Sequence, residues 1–300
     1  MLGERSAPRL TFAQLRHELV ALFKLRIVYL LLTAATAGAF LAAGGWPGLS
    51  DLAILLIAGL VSAAGSSALN EYLERDKDAL MNRTCNRPLV TGQLGKTAWV
   101  PWAAILMIVA PSLILLPFNP ALAFFLFLGA FIYVVIYTLW LKPRTTLNIV
   151  IGGAAGSCAV LSGAAAAGNW ADPGALLLAA LVFLWTPIHF WSLALVYRED
   201  YARAEVPMLP VRTTPRRAAV WGLVHGLGAG ACAIALAFVP GLGLLYAVPA
   251  LGITAVLWWA GIALVIEPTT RRAYRLFHVS NFYLLIILLA VLIGVLVKVP

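Results

Sequence analysis

The chain alternates between long apolar blocks and short polar segments. Each of nine blocks is long enough to cross a bilayer as a helix. They cover residues 27–44, 52–72, 98–117, 119–141, 147–168, 174–197, 218–240, 244–266 and 276–297. Turn-forming sequences such as GGWPGLSD at 44–51 and GNWADPG at 168–174 separate neighbouring blocks. The pattern predicts an all-α polytopic membrane protein with nine transmembrane helices, in which residues 1–300 form one membrane-embedded domain.

Composition supports this class and excludes an ordinary soluble domain. Hydrophobic residues make up 62% of the chain and charged residues 11%, with a mean hydropathy of +0.94. A typical soluble domain is about 25% charged. Residues 1–26 form a polar amino-terminal arm, and the apolar block after it is too long for a typical secretory signal, so we expect a retained span. The absence of a long leader rich in Arg and Ser favours a bacterial plasma membrane over a mitochondrial inner membrane.

The basic residues are confined to one side of the predicted membrane. Of 21 Lys and Arg residues, 20 precede the first span or lie in the segments after spans two, four, six and eight, and Lys298 is the exception. The positive-inside rule therefore places the amino terminus and the charged loops in the cytoplasm. The formal charge of +9 is explained as an orientation signal, and no nucleic-acid partner is expected.

The first candidate site follows the second span. Asn70, Glu74 and Asp78 recur every four residues and share one face of a continuing helix. Asp76 points away from this face but can approach the other three residues if the helix ends nearby. Arg83 and Arg87 follow. Oxygen ligands with nearby arginines suit a magnesium-bridged phosphate. The alternative is a solvated helix end with ordinary loop charges.

A second charged cluster follows the sixth span on the same side. Asp200 is its candidate metal ligand, and two carboxylate clusters at one face predict a magnesium-assisted diphosphate clamp. Candidate substrate contacts in this cluster and in the loop after span four are Arg198, Tyr201, Arg203, Tyr137, Lys142 and Arg144. Taken alone, Lys142 and Arg144 are equally explained as orientation anchors.

Two features inside the spans have alternative explanations. His189 is either a buried histidine bonded to backbone or a contact for a metal centre or an acidic substrate group, and its intramembrane position favours the second. The fifth span is rich in small residues, including Gly152 and Gly156. Close helix packing is its simpler explanation, and room for a bulky ligand is the other.

The motifs NxxxExDxDxxMxRTxxRPLxxG (from Asn70) and TPxHFWxLALxYRxDYxxAxxPMLPV (from Thr186) resemble those of the UbiA superfamily of intramembrane prenyltransferases. The second motif is similar to the branch that farnesylates heme b. The resemblance implies Asn70, Glu74, Asp78 and Asp200 as catalytic metal-binding residues, with basic diphosphate contacts at Arg83, Arg87 and Lys142. Three departures stand out. Glu74 replaces the usual Asp, Glu205 stands where Gly is expected, and Ala159 and Val160 stand where a double proline is expected.

The reaction implied by the resemblance is electrophilic prenyl transfer. Magnesium and arginines hold farnesyl diphosphate, diphosphate leaves, a vinyl group of heme b attacks the allylic cation, and water completes the product, heme O. Heme A synthase or cytochrome oxidase assembly factors are implied as candidate partners, besides the lipid bilayer. Two other functions are weighed: a UbiA-type enzyme that prenylates an aromatic acid for quinone synthesis, and a transporter or scaffold. Transporters often contain internal repeats, and the absence of an obvious repeat in this sequence disfavours a transporter.

Overall fold

The computed structural model describes residues 11–95 and 97–297. Residues 1–10 of the predicted arm and Lys298 therefore lie outside the described part. Within it, every regular element is helical and no strand occurs. The helices are α1 Phe12–Leu22, α2 Leu25–Ala43, α3 Leu49–Asp78, α4 Pro88–Thr91, α5 Val100–Leu115, α6 Pro120–Phe131, α7 Asn148–Gly152, α8 Ala154–Ala166, α9 Pro173–Val196, α10 Arg198–Arg203, α11 Leu209–Arg212, α12 Pro215–Leu236, α13 Gly243–Ile266 and α14 Thr270–Leu296.

Eight helical segments in the described part are long and apolar enough to span a membrane. They are α2, α3, α6 with its continuation, α7 with α8, α9, α12, α13 and α14. The third block predicted from the sequence forms α5, which is apolar but has only 16 residues. At a rise of 1.5 Å per residue, α5 is about 24 Å long, shorter than the hydrocarbon core of about 30 Å.

Two irregularities lie near the polar ends of the central helices. α6 continues without a break into a π-helix, Ile132–Leu141, whose end is marked by the bond from Lys142 N to Tyr137 O. π-helical turns are rare and occur frequently at functional sites. The fifth predicted span divides at Gly153 into α7 and α8. Both irregularities lie beside segments that carry candidate site residues.

Small residues allow α8 to contact its neighbours closely. A Cβ built on Gly163 would lie 1.7 Å from the carbonyl oxygen of Ala35 in α2, and one on Gly38 would lie 2.2 Å from that of Val160. Additional Cβ atoms on Gly152 and Gly156 would meet Tyr137 and Val182 at 2.8 and 2.9 Å. The small residues of this span therefore serve close packing, as the simpler explanation predicted.

The main apolar core joins α2, α8, α9, α12, α13 and α14. We call the side of the molecule that carries residues 79–95, 97–99, 142–147, 197–214 and 267–269 the loop face. On this side a separate apolar cluster includes Met81, Ile149, Trp191, Tyr201 and Met208. This cluster joins the segment after α3 to α7, α9 and α10, so it fixes the two charged motifs relative to each other. The described part of the amino-terminal arm also packs on the bundle, since Leu22 of α1 is fully buried in a further apolar cluster with Leu69 and Leu89.

Candidate active site

The first motif lies on the last two turns of α3. The helix runs to Asp78 without interruption, which gives Asn70, Glu74 and Asp78 the shared face expected from their spacing. All three side chains are buried. The amide nitrogen of Asn70 donates to Glu74 Oε2 at 3.0 Å and to Thr138 Oγ1 at 2.9 Å. The cluster is therefore an ordered polar site rather than a solvated helix end.

Three cations from different segments converge on this row. Lys142, directly after the π-helix, pairs with Glu74 Oε1. Arg87 Nη1 donates to Asp78 Oδ2 at 2.5 Å. Lys24, between α1 and α2, donates to Asn70 Oδ1 at 2.5 Å. Each oxygen-bearing side chain of the row thus has a basic partner, and a buried charge is retained at lower cost when it is paired.

Electrostatics divide these cations into two classes. Burial disfavours the charged form of Lys142, but the charge of Glu74 outweighs it and raises the pKa of Lys142 above its ordinary value. Asp78 likewise raises the pKa of Arg87 against the effect of burial. Burial, reinforced by the charge of Arg87, lowers the pKa of Lys24 to about 7. Lys142 and Arg87 are therefore permanent charges, whereas the proton of Lys24 is held less tightly.

The second motif reaches the first through Asp200 of α10. Its carboxylate accepts from the backbone N–H of Arg83 at 3.3 Å and from Asn82 Nδ2 at 3.1 Å, and it pairs with Arg203. The guanidinium of Arg83 donates to the hydroxyl of Tyr201 at 3.4 Å. Residues more than a hundred positions apart in sequence are therefore in direct contact, as the two-cluster hypothesis requires.

A cavity of about 610 Å³ opens beside this junction. Its lining includes Asn82, Tyr197, Arg198, Asp200 and Thr269, the N-cap of α14. The buried residue Asp200 therefore borders a cavity on the loop face.

Comparison with known proteins identifies this arrangement. Residues 30–295 match the model of the UbiA prenyltransferase family. A protoheme IX farnesyltransferase of Metallosphaera sedula is 40% identical over 272 residues, covering 91% of this chain and 94% of the relative. Protoheme IX farnesyltransferase 2 of Paramagnetospirillum magneticum is 41% identical over 276 residues, covering 92% and 96%. The chain belongs to the UbiA prenyltransferase family, in its protoheme IX farnesyltransferase branch.

Solved structures agree on the UbiA fold. A structure concerning digeranylgeranylglyceryl phosphate synthase superposes with a TM-score of 0.78 at 14% identity, covering 93% of this chain and 98% of the other. A UbiA homologue from Archaeoglobus fulgidus bound to DMAPP and Mg²⁺ superposes with a TM-score of 0.63 at 15% identity, covering 92% and 99%. The family and the fold predicted from the motifs are confirmed, and the chain is a multi-pass membrane prenyltransferase.

Three predicted site residues of this UbiA protein are not brought into the cluster. The side chain of Asp76 is 94% exposed, because α3 does not end before it, and it lies beside Arg75. Arg144 donates to the carbonyl oxygens of Leu139 and Trp140, so it caps the end of its own helix. Arg198 is exposed and donates to Thr213 O at 3.4 Å. These positions argue against Asp76 as a metal ligand and Arg144 as a substrate contact, whereas Arg198 lines the cavity beside Asp200 and stays a predicted substrate contact.

His189 lies deeper in the UbiA bundle, between α9 and α14. Its ring stacks on Trp185 and Phe277, with centroid distances of 4.4 and 4.7 Å, and its Nδ1 hydrogen-bonds with Ser280 Oγ at 2.9 Å. These contacts place it outside the diphosphate cluster, as a buried histidine with a hydroxyl partner. A role for His189 in positioning heme stays a prediction.

Sequence reasoning missed the partners that complete the site. In the sequence, Lys24 is one of the basic residues that orient the chain, and Tyr133 and Thr138 lie within an apolar span. The hydroxyl of Tyr133 lies 3.4 Å from Lys24 Nζ. A lysine directly before the first span was the available signal for Lys24. No local pattern marks Thr138, which the π-helix turns toward Asn70.

The departure at Glu205 has a backbone explanation. Its φ is 55°, in the left-handed region that glycine adopts most easily. The N–H of Glu205 bonds to Ala202 O and that of Val206 to Tyr201 O, the two bonds of a Schellman motif that ends α10. A glycine is therefore expected here for conformational reasons, and the glutamate side chain is exposed.

Proposed function

We propose that this chain transfers the farnesyl group of farnesyl diphosphate to a vinyl group of heme b, which yields heme O. The observation that carries the proposal is the contact of Asp200 with the backbone N–H of Arg83, which brings the second acidic motif against the loop that carries the first motif's arginines. The names of the relatives support the choice of heme b as acceptor.

The donor atoms of the site fit magnesium in the form of a diphosphate complex. Asn70, Glu74, Asp78 and Asp200 offer only oxygen ligands, which suit this cation. In the ranges 11–95 and 97–297, no three Asp, Glu, His or Cys side chains converge as a ready-made metal site. Magnesium usually takes one or two carboxylates together with substrate phosphates and waters, so such a cage is not required. When bound, magnesium would neutralise charge on the departing diphosphate.

The basic residues hold the diphosphate beside these ligands. Lys142 and Arg87 are anchored by Glu74 and Asp78, so their positions are fixed before the substrate arrives. Arg83 is exposed at the junction with Asp200 and supplies a guanidinium that can bind two phosphate oxygens. Fixed cations stabilise negative charge without a reorganisation cost during the reaction.

The apolar helices serve the second half of the reaction. When the C–O bond of farnesyl diphosphate breaks, its electron pair leaves with diphosphate. The π electrons of the vinyl group then form the new C–C bond, and a water molecule adds to the resulting cation and loses a proton. An apolar surrounding keeps bulk water from capturing the allylic cation before the vinyl group attacks.

The proposal also includes location and partners. In this proposal the protein lies in a bacterial plasma membrane, and residues 1–300 form one membrane-embedded domain. The loop face lies on the cytoplasmic side, because basic residues concentrate at that face. Heme A synthase, which would consume a heme O product, and cytochrome oxidase assembly factors are candidate partners.

The test is product mass after incubation of purified protein with heme b, farnesyl diphosphate and magnesium. We expect a mass equal to heme b plus a farnesyl group and a hydroxyl group. Prenylation of a hydroxybenzoate, without any heme product, would show that the acceptor is wrong.

Matched variants test the site. Asp78→Ala and Asp200→Ala should lose product while remaining inserted in the membrane. Asp76→Ala removes an exposed carboxylate from the same motif and should keep activity. Normal magnesium-dependent turnover in both Asp78→Ala and Asp200→Ala would refute the site.

A further inference from the structure

Lys24 occupies a strained position between α1 and α2. Its φ is 48°, in the left-handed region, where a residue with a Cβ costs free energy. This backbone geometry accompanies a side chain that reaches the first motif, with Nζ 2.5 Å from Asn70 Oδ1 and 3.4 Å from the hydroxyl of Tyr133. Strained residues that persist in a fold cluster at functional sites.

The contact with Asn70 competes with metal binding. Oδ1 is the atom through which an asparagine coordinates a cation, and magnesium binds oxygen at about 2.0–2.1 Å. An ammonium and a divalent cation on one oxygen would repel each other strongly at this separation. The amide cannot turn its other end to either cation, because Nδ2 already donates to Glu74 and Thr138. Metal binding at Asn70 therefore requires the ammonium to leave.

The neighbouring carboxylates leave few destinations for a displaced ammonium. Glu74 already pairs with Lys142, and Asp78 already pairs with Arg87. Glu71 is fully buried, and its Oε1 accepts from the N–H of Leu89, while its Oε2 has no partner in the described part of the chain. Two destinations therefore remain for the ammonium, the free oxygen of Glu71 and the diphosphate that arrives with the metal, and the diphosphate carries the larger negative charge.

We propose that Lys24 is a further diphosphate-binding residue that holds Asn70 until a divalent cation takes the amide oxygen. Its ammonium then passes from Asn70 to the diphosphate. The inference rests on the proposed function for its substrate, since it needs a metal–diphosphate complex at the first motif. It makes Lys24 a sensor of substrate arrival that links the amino-terminal arm to the site.

Two affinities of one variant should change in opposite directions. In Lys24→Met, Mn²⁺ without diphosphate, followed by the EPR signal of the free ion, should bind several-fold more tightly because a competing charge is gone. Inorganic diphosphate with magnesium, measured by calorimetry, should bind at least about tenfold more weakly, because a charge-assisted contact is lost. Arg26→Met, which removes an exposed charge two residues away, should change neither affinity.

A second variant protects the test against misfolding. Lys24→Gly removes the same ammonium but relieves the left-handed backbone, so the protein should fold at least as well as the wild type. It should repeat both affinity changes, and Lys24→Arg should retain diphosphate affinity.

Three results would overturn the inference. Parallel losses of both affinities would indicate a purely structural role. An unchanged diphosphate affinity in both Lys24→Met and Lys24→Gly would mean that the ammonium moves elsewhere, for example to Glu71. An unchanged Mn²⁺ affinity would mean that Lys24 does not compete for Asn70. If heme is not farnesylated but the opposite changes occur, the acceptor is wrong and the role of Lys24 stands.

Discussion

Replacing Lys142 with methionine removes the charge that neutralises Glu74 inside the bundle. Both side chains are about nine-tenths buried, at 11% and 9% exposure, and Asn70 Nδ2 is the other donor to this carboxylate. Removing one partner of a buried pair leaves an uncompensated charge and costs about 3–5 kcal/mol. We therefore expect Lys142→Met to lower the free energy of unfolding by about that amount.

The double variant distinguishes pairing from lost packing. In Lys142→Met/Glu74→Gln neither member of this pair is charged, so no charge is left without its partner and much of the lost stability should return. Unfolding in mixed micelles should give a coupling free energy of about 2 kcal/mol or more across the four proteins, at the upper end of the range for contacting residues. The double variant should still make no heme product, because both groups belong to the proposed site.

The chain contains a matched control for this cycle. Arg272 pairs with Glu267 in an exposed setting, at 36% and 59% exposure. The same cycle on this pair should give a coupling of at most about 1 kcal/mol, as exposed ion pairs do. Equal coupling in the two cycles, or additive losses at Lys142 and Glu74, would refute the argument from burial.

Three further predictions address other parts of the molecule. Glu205→Gly should raise the free energy of unfolding by about 0.5–1 kcal/mol in thermal unfolding. It removes the cost of about 1–2 kcal/mol for a side chain in the left-handed region and adds the smaller entropic cost of glycine. Glu205→Ala keeps a Cβ in that region and should give no such gain. Gly163→Ala should lower the free energy of unfolding by about 1–3 kcal/mol or more, because its Cβ would overlap the carbonyl oxygen of Ala35. Gly252→Ala adds a Cβ in open space and should not destabilise the protein. Equal effects of the two substitutions would refute the close helix contact. Arg83→Ala should weaken farnesyl diphosphate binding by about 1.5–3 kcal/mol in a binding titration, and an unchanged affinity would count against the contact.

The sequence determined the features that depend on local periodicity. Apolar blocks predicted the helical spans because a bilayer requires each span to bond its own backbone. The spacing of Asn70, Glu74 and Asp78 predicted that they share one helix face, because a helix repeats every 3.6 residues. The motifs then predicted the UbiA family correctly. Where length alone decides, the prediction was less accurate, since α5 is shorter than the block that contains it.

Only the tertiary structure decided which charges meet. Lys24, Lys142 and Asp200 come from three separate segments, and their contacts with Asn70, Glu74 and the loop after α3 depend on how the helices pack. Helix phase also shows why Asp76 differs from its neighbours, because α3 continues far enough to point it into solvent. Local sequence fixes the direction of a side chain along its own helix, but pairing between helices is a property of the assembled bundle.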